Sequence, residues 1–270
     1  MLLSAAAGAQ NSTNVVFTFH HKVNGEPLVM DEGLFTIWNG KKMKLNRAAI
    51  YISEIDLVKA DNASLRLQDV YLLVDASSNT NVYPAGTWDV NDIIGVNLHL
   101  GVDSAHNHLD PSTYPEEHPL AHQKIPMHWG WVAGYRFMAI EGFIDNNNDG
   151  VPESALQFHN IGDDLYKSVK LSGVEQAEIG VLNIHIELDY ARLFDNMPMA
   201  DNLIEHGNSD ANNQMMENAA QQGFLKLINV SSTGQSPDTA GAVAVSPNPA
   251  GGQTLVRYTF PGAESMMMPL

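Results

Sequence analysis

Six of the chain's eleven histidines, His99, His106, His108, His118, His122 and His128, fall within residues 99–128, and imidazole is the commonest side-chain ligand for transition metals. The chain has no cysteine. A bound metal must therefore be held by His, Asp, Glu, Asn, Met or carbonyl groups, and a cysteine-type structural zinc site is excluded. Pro111, Pro115 and Pro119 interrupt the same stretch, so several of these imidazoles are expected on a solvated loop. Glu116 and Glu117, flanked by prolines, read as solvated carboxylates rather than an acid/base pair.

A second grouping is Asp145-Asn146-Asn147-Asn148-Asp149-Gly150-Val151-Pro152-Glu153. Oxygen-bearing residues at the first, third and fifth places, followed by glycine at the sixth, make the first half of a calcium loop, the glycine providing the turn that gathers hard oxygens around the ion. Leu156 stands where an EF-hand carries its bidentate glutamate. Glu153 can close a shorter loop with Asp145, Asn147 and Asp149; the alternative is a plain Asn/Asp/Gly turn. The chain contains no Gly-x-Ser-x-Gly elbow, no His-Glu-x-x-His helix and no phosphate-cradling glycine loop, and it is expected not to be an enzyme.

Strands must position these groups. Val15, Phe17, Phe19, His21 and Val23 alternate with mostly polar residues, the period of a half-buried strand, which places His21 on the apolar face and His20 on the other. Further strand-like runs cover Arg47 to Val58, Asp69 to Val74, Ile93 to Leu100, Tyr135 to Glu141, Gly180 to Leu188 and Gly223 to Val230, separated by Gly, Asn, Pro and Asp. The expected fold is all-β, an antiparallel β-sandwich. One short helix is expected near its C-terminal end, from Asp210 to Gln222, with Asp210 as N-cap and Gly223 as terminator.

With 270 residues and 44% hydrophobic content, the chain suits one large domain with short appendages. Fourteen basic residues against thirty-one acidic ones give a formal charge of -17, which repels phosphate backbones, so no nucleic-acid partner is expected. No run of about 18 apolar residues exists to span a membrane. Residues 1–12 are apolar and rich in small side chains, like the end of a truncated export signal. The main domain is expected over 13–230 and a Ser/Thr/Gly/Pro linker over 231–242.

Two resemblances extend this reading. Leu100-Gly101-Val102 through Asn107-His108-Leu109-Asp110, followed by Met127-His128-Trp129-Gly130-Trp131 through Gly134-Tyr135-Arg136-Phe137, resembles the paired Asn-His-x-Asp and Met-x-Trp-x-Trp-x-x-Gly-Tyr-x-Phe segments of the methanobactin-associated copper-binding (MbnP-like) family. Phe19-His20-His21, Pro27-Leu28, Ile50-Tyr51-Ile52-Ser53, Glu141-Gly142, Phe158-His159-Asn160-Ile161-Gly162 and Asp189 through Phe194 extend it over residues 15 to 230. Beyond the linker, Val243 through Ala250 and Thr254 through Tyr258 resemble the opening of a type IX secretion C-terminal sorting domain, over 243–270.

The first resemblance implies copper binding outside the cytoplasm, and the second implies the type IX secretion machinery as a partner and a secreted or cell-surface location. In the copper-binding family a tryptophan of the Trp-x-Trp segment can be oxidised to kynurenine by a partner di-haem peroxidase-like enzyme, and the new aniline nitrogen can join histidines at copper. The resemblance therefore implies Trp129 or Trp131 as the modified residue and His108 as a ligand. The chemistry is sound, because an indole N–H only donates whereas a free amine carries a lone pair. Otherwise the two rings, two residues apart on one strand face, are core aromatics. Ser53 stands where copper-binding members carry a Tyr-x-His histidine; His21 or His159 could supply that imidazole, and Met127 a thioether. The competing expectation is a secreted structural or adhesive sandwich that has lost the copper site.

Overall fold

A computed structural model describes residues 12–78, 81–221 and 223–229, together with the backbone of 243–247 and 254–258. The chain divides into two compact units, residues 1–229 and 230–270. The first contains, in order, β1 (Ser12–Val23), β2 (Glu26–Pro27), β3 (Phe35–Thr36), β4 (Lys42–Lys59), β5 (Ser64–Arg66), β6 (Leu72–Asp75), β7 (Val82–Asp89), β8 (Asp92–Leu100), a one-turn helix α1 (Ser104–Asn107), β9 (Arg136–Ile144), β10 (Ser154–Ile161), β11 (Lys167–Gln176), β12 (Val181–Asp189), β13 (Leu203–Gly207), α2 (Asp210–Ala220) and β14 (Leu225–Leu227). In the second, β15 (Val243–Pro247) and β16 (Thr254–Tyr258) pair as an antiparallel hairpin. The export-signal remnant up to residue 11, the linker over 231–242 and the rest of the expected sorting-domain opening lie outside the described residues.

The first unit is the expected all-β sandwich. Its smaller sheet runs β14-β12-β1-β2, with β7 also on β1; its larger sheet runs β11-β8-β4-β9-β10-β13, with β3, β5 and β6 on β4. Alternation builds the smaller sheet: Val15, Phe17 and Phe19 of β1, and Leu182, Ile184 and Ile186 of β12, are all buried. Their parallel register sets Phe17 beside Ile184 and Phe19 beside Ile186, and each such side chain contributes about 1.5–3 kcal/mol by leaving water. Strand β4 is covered on both faces over Ala48 to Ser53, which explains its unbroken apolar run. Most pairings are antiparallel, but β1–β12 and β10–β13 are parallel and join segments far apart in the chain.

Two details differ from the sequence expectation. Ser209 caps α2, its side chain accepting from the Asn212 N–H at 3.2 Å; Asp210, expected as the cap, is the first helical residue, where its charge favours the positive end of the helix dipole. The Trp129/Trp131 segment is no strand. Gly130 and Gly134 have φ of +94° and +77°, and the Gly134 N–H donates to the Gly130 carbonyl at 2.7 Å. The chain therefore curls, and Trp129 and Trp131 remain 41% and 70% exposed, so neither is a core aromatic.

Candidate metal centre

The outer face of β4, β9, β10 and β13 carries a row of polar side chains fixed by strand register. Arg47 pairs with Glu141, Glu141 with Gln157, and His159 with His206. Arg47 Nη1 donates to Glu141 Oε1 at 2.7 Å, and His159 Nε2 lies 2.8 Å from the same oxygen. The His159 hydrogen bond, followed by Arg47, holds the Glu141 carboxyl down at about 2. An ionised carboxylate can only accept, so Nε2 carries a His159 proton, which leaves Nδ1 as the nitrogen through which the neutral ring would bind a ligand. Among the described residues that Nδ1 is buried without a hydrogen-bond partner, and His159 is only 4% exposed. A carboxylate orienting one nitrogen of an imidazole while the other is left for a ligand is the arrangement around metal-binding histidines.

Two further groups pack against that ring. The His206 ring stacks on His159 with centroids 4.8 Å apart. Its Nε2 lies 2.9 Å from Gln157 Oε1, and burial followed by the neighbouring His159 lowers its pKa, which favours the neutral, ligating form. The Trp129 indole meets both rings edge-on, at 5.5 Å from His159 and 4.7 Å from His206. The Arg136 guanidinium lies 4.3 Å from the Trp129 centroid, a cation–π contact that fixes the indole. Helix α2 anchors the strands beneath: Asn212 Nδ2 donates to the carbonyls of His159 and Gly207 at 3.1 and 2.9 Å.

The loop that lays Trp129 over this face is clasped by the Asn107-His108 segment. Asn107, fully buried, accepts from the Tyr135 N–H at 2.8 Å and donates to Asp163 at 2.7 Å. A Cβ at Gly134 would approach Asn107 Oδ1 to 2.5 Å, so this close packing requires glycine. His108 Nδ1 lies 2.8 Å from the Trp131 carbonyl, and its Nε2 lies 3.4 Å from Asp163. Met127 is buried, with its sulfur 3.2 Å from Arg47 Nη2. His108 and Met127 thus hold the loop, and His159 with Trp129 is the sequence-expected pair that the fold brings together.

The other expected ligands sit elsewhere. His21 stays on the inward side of β1, where its Nδ1 meets the Tyr190 hydroxyl at 2.9 Å, and it shares no hydrogen bond or ring contact with Trp129, His159 or His108. The Ser53 hydroxyl donates to the Gly101 carbonyl at 2.9 Å and meets the Tyr166 hydroxyl at 2.9 Å. The histidine-rich stretch does not converge: His99 stacks on Tyr166, His106 meets Asp103 and Tyr71, His118 stacks on Tyr114, and His128 packs on Tyr135. His206 was missed by the sequence reading, because a five-residue strand, Leu203–Gly207, carries it and the pairing that places it is parallel and remote.

The acidic loop closes the hairpin between β9 and β10. One carboxylate oxygen each from Asp145, Asp149 and Glu153 lie within 4.8 Å of one another. Asp145 is buried and accepts from the Gly150 N–H at 2.8 Å, while Asn147 Oδ1 accepts from the Asp149 N–H at 2.9 Å. The glycine turn and the gathered hard oxygens match a calcium loop in donor chemistry.

The MbnP family model matches residues 12–216. Among solved structures, MbnP from Methylosinus trichosporium matches with a TM-score of 0.52 and 16% identity, over 73% of this chain and 82% of that chain; at that identity the likeness concerns the fold. No curated protein matches.

Proposed function

Because the chain belongs to the MbnP family, we propose that it is an extracytoplasmic copper-binding protein whose metal centre forms around His159, His206 and Trp129, and that it is not an enzyme. The observation that carries this reading is the His159 ring, oriented by Glu141, packed against a second imidazole and an indole, with a buried Nδ1 that has no hydrogen-bond partner among the described residues. Two imidazoles suit copper, and in a chain without cysteine a nitrogen donor made from Trp129 would complete a three-nitrogen set. Making that donor requires oxidation of the indole by a partner, for which a di-haem peroxidase-like enzyme is our candidate. Trp129 is preferred over Trp131 because its ring contacts both histidines.

MbnP-family proteins are in general extracytoplasmic, and among the described residues no helix is long and apolar enough to cross a membrane. Export through the type IX machinery is part of the proposal, as is calcium in the Asp145–Glu153 loop. A second reading, a structural or adhesive sandwich without copper, draws support from Ser53, whose hydroxyl is spent on Gly101 and Tyr166, and from the Arg136 cation beside the centre. Copper stoichiometry decides between the two. Protein from the native host should carry one copper that is lost in His159→Gln, and wild-type protein that fails to retain copper against dialysis would favour the structural reading.

A further inference from the structure

The smaller sheet carries a second pair of histidines, on the face turned away from the core. Asn14, Val16, Thr18, His20 and Lys22 of β1 alternate with the buried Val15, Phe17 and Phe19, and Asn183, His185 and Glu187 of β12 alternate with the buried Leu182, Ile184, Ile186 and Leu188. The parallel register puts Thr18 beside His185 and His20 beside Glu187. Both imidazoles lean into the space between the strands, so that His20 Nε2 and His185 Nδ1 come within 3.0 Å, with ring centroids 5.2 Å apart.

That separation has a chemical meaning. Two imidazole nitrogens on one cation, each at about 2.0–2.1 Å and about 90–110° apart, are themselves about 2.9–3.4 Å apart. The observed spacing already lies in this range: the two nitrogens share a hydrogen bond, one of them as the N–H donor, and moving that proton to the ring's other nitrogen leaves a lone pair on each for a shared cation. The positions are fixed by paired strands whose opposite faces are packed in the core, so a ligand need order no loop to use them. Glu187 stands directly across from His20 on the same face, where its carboxylate favours positive charge. Burial, with Lys22 next for His20 and His20 itself for His185, lowers the pKa of both imidazoles and so keeps the ligating form present at neutral pH.

We propose that His20 and His185 form a two-imidazole divalent transition-metal site on the outer face of the smaller sheet, separate from the centre around His159. Imidazole donors with solvent completing the shell suit Zn(II), Cu(II) or Ni(II) and do not select Cu(I), which prefers softer sets. The two sites share no residue, so either can stand without the other.

Zinc alone, added to the full-length chain, is the probe. Imidazole nitrogen resonances of the wild-type protein are followed by NMR as zinc is added, and equilibrium dialysis gives stoichiometry and affinity. The expected result is that the His20 and His185 nitrogens shift together at stoichiometric zinc, and that His185→Gln and His20→Gln each lower the affinity of that site about tenfold or more, while His206→Gln leaves it unchanged. For comparison, losing a mere outer-shell partner already weakens metal sites by about 10–100-fold. Wild-type resonances of His20 and His185 that do not move while zinc binds elsewhere, or zinc binding equal in wild type and both glutamine variants, would overturn the proposal.

Discussion

His159 and His206 are direct partners across the parallel pairing of β10 and β13, their rings stacked 4.8 Å apart at 24°. Neither ring alone offers more than one nitrogen to a metal, so the pairing makes the site. His206→Ala is expected to lower copper affinity by about tenfold or more with little change in melting temperature, because His206 is exposed. His108→Ala is expected to leave copper affinity much nearer wild type, since that ring serves Trp131 and Asp163. Copper competition assays on the two variants check this, and the reverse ranking would return the metal to His108.

Much of the frame is legible in the sequence, and the missing parts have physical causes. The period-two alternation of Val15, Phe17 and Phe19 announces β1, and it correctly turns His21 inward and His20 outward. The pairing of β10 with β13 is not legible, because parallel register depends on remote packing rather than on a local turn. Met127, Trp129 and Trp131 alternate like a strand, yet Gly130 and Gly134 take left-handed φ and curl the segment. Proximity in sequence misled for the histidine-rich stretch: α1 and the following single turn of 3-10 helix at Pro111–Thr113 set His106 and His118 around Tyr71, while His99 and His128 pack on Tyr166 and Tyr135.

Trp129 and Trp131 differ in surroundings, and this yields a site-specific expectation. Trp129 touches His159, His206 and Arg136, whereas Trp131 is largely exposed. Conversion of indole to kynurenine exchanges a carbon for an oxygen, a gain of about 4 mass units. Peptide mass spectrometry of protein from the native host is expected to find the gain on Trp129 and not on Trp131, and to find neither in protein made without the partner oxidase. Trp131→Phe should keep the modification and Trp129→Phe should abolish it. Modification confined to Trp131 would break the link between the indole and the histidine pair.

Glu141 ties the site to stability through pH. Its folded pKa is held at about 2, below the ordinary 4.5, by His159 and Arg47. A carboxyl whose pKa falls on folding contributes stability that is fully present above about 4.5 and is lost as the pH drops from there toward about 2. Glu141→Gln is therefore expected to destabilise the chain at pH 7 by about 1–3 kcal/mol, the usual range for removing a hydrogen-bonded buried partner, and the deficit should shrink as acid protonates the wild-type carboxyl. Urea titrations across that window test it; a deficit that stays constant down to pH 2 would mean that the carboxylate charge contributes nothing.

The hairpin loop between β9 and β10 gathers carboxylates on the same strands, and the calcium proposed for it can be tested through stability. Asp145, Asp149 and Glu153 each bring a carboxylate oxygen to within 4.8 Å of the others, so their mutual repulsion is relieved by a hard divalent ion. Calcium at about one hundred times its dissociation constant stabilises the folded state by about 2.7 kcal/mol, a rise of several degrees in melting temperature for a domain of this size. Wild-type protein is expected to show that rise with millimolar calcium and to lose it on chelation. Asp149→Asn should cancel the calcium-dependent part while leaving the calcium-free melting temperature near wild type, because an amide oxygen still accepts the Val151 N–H that Asp149 holds at 2.8 Å. Asp145→Ala should lower the melting temperature even without calcium, since the buried carboxylate accepts from Gly150 and Asp149. Equal melting curves with and without calcium would leave the loop as an Asn/Asp/Gly turn that shapes the hairpin carrying Glu141 and His159, with no ion needed.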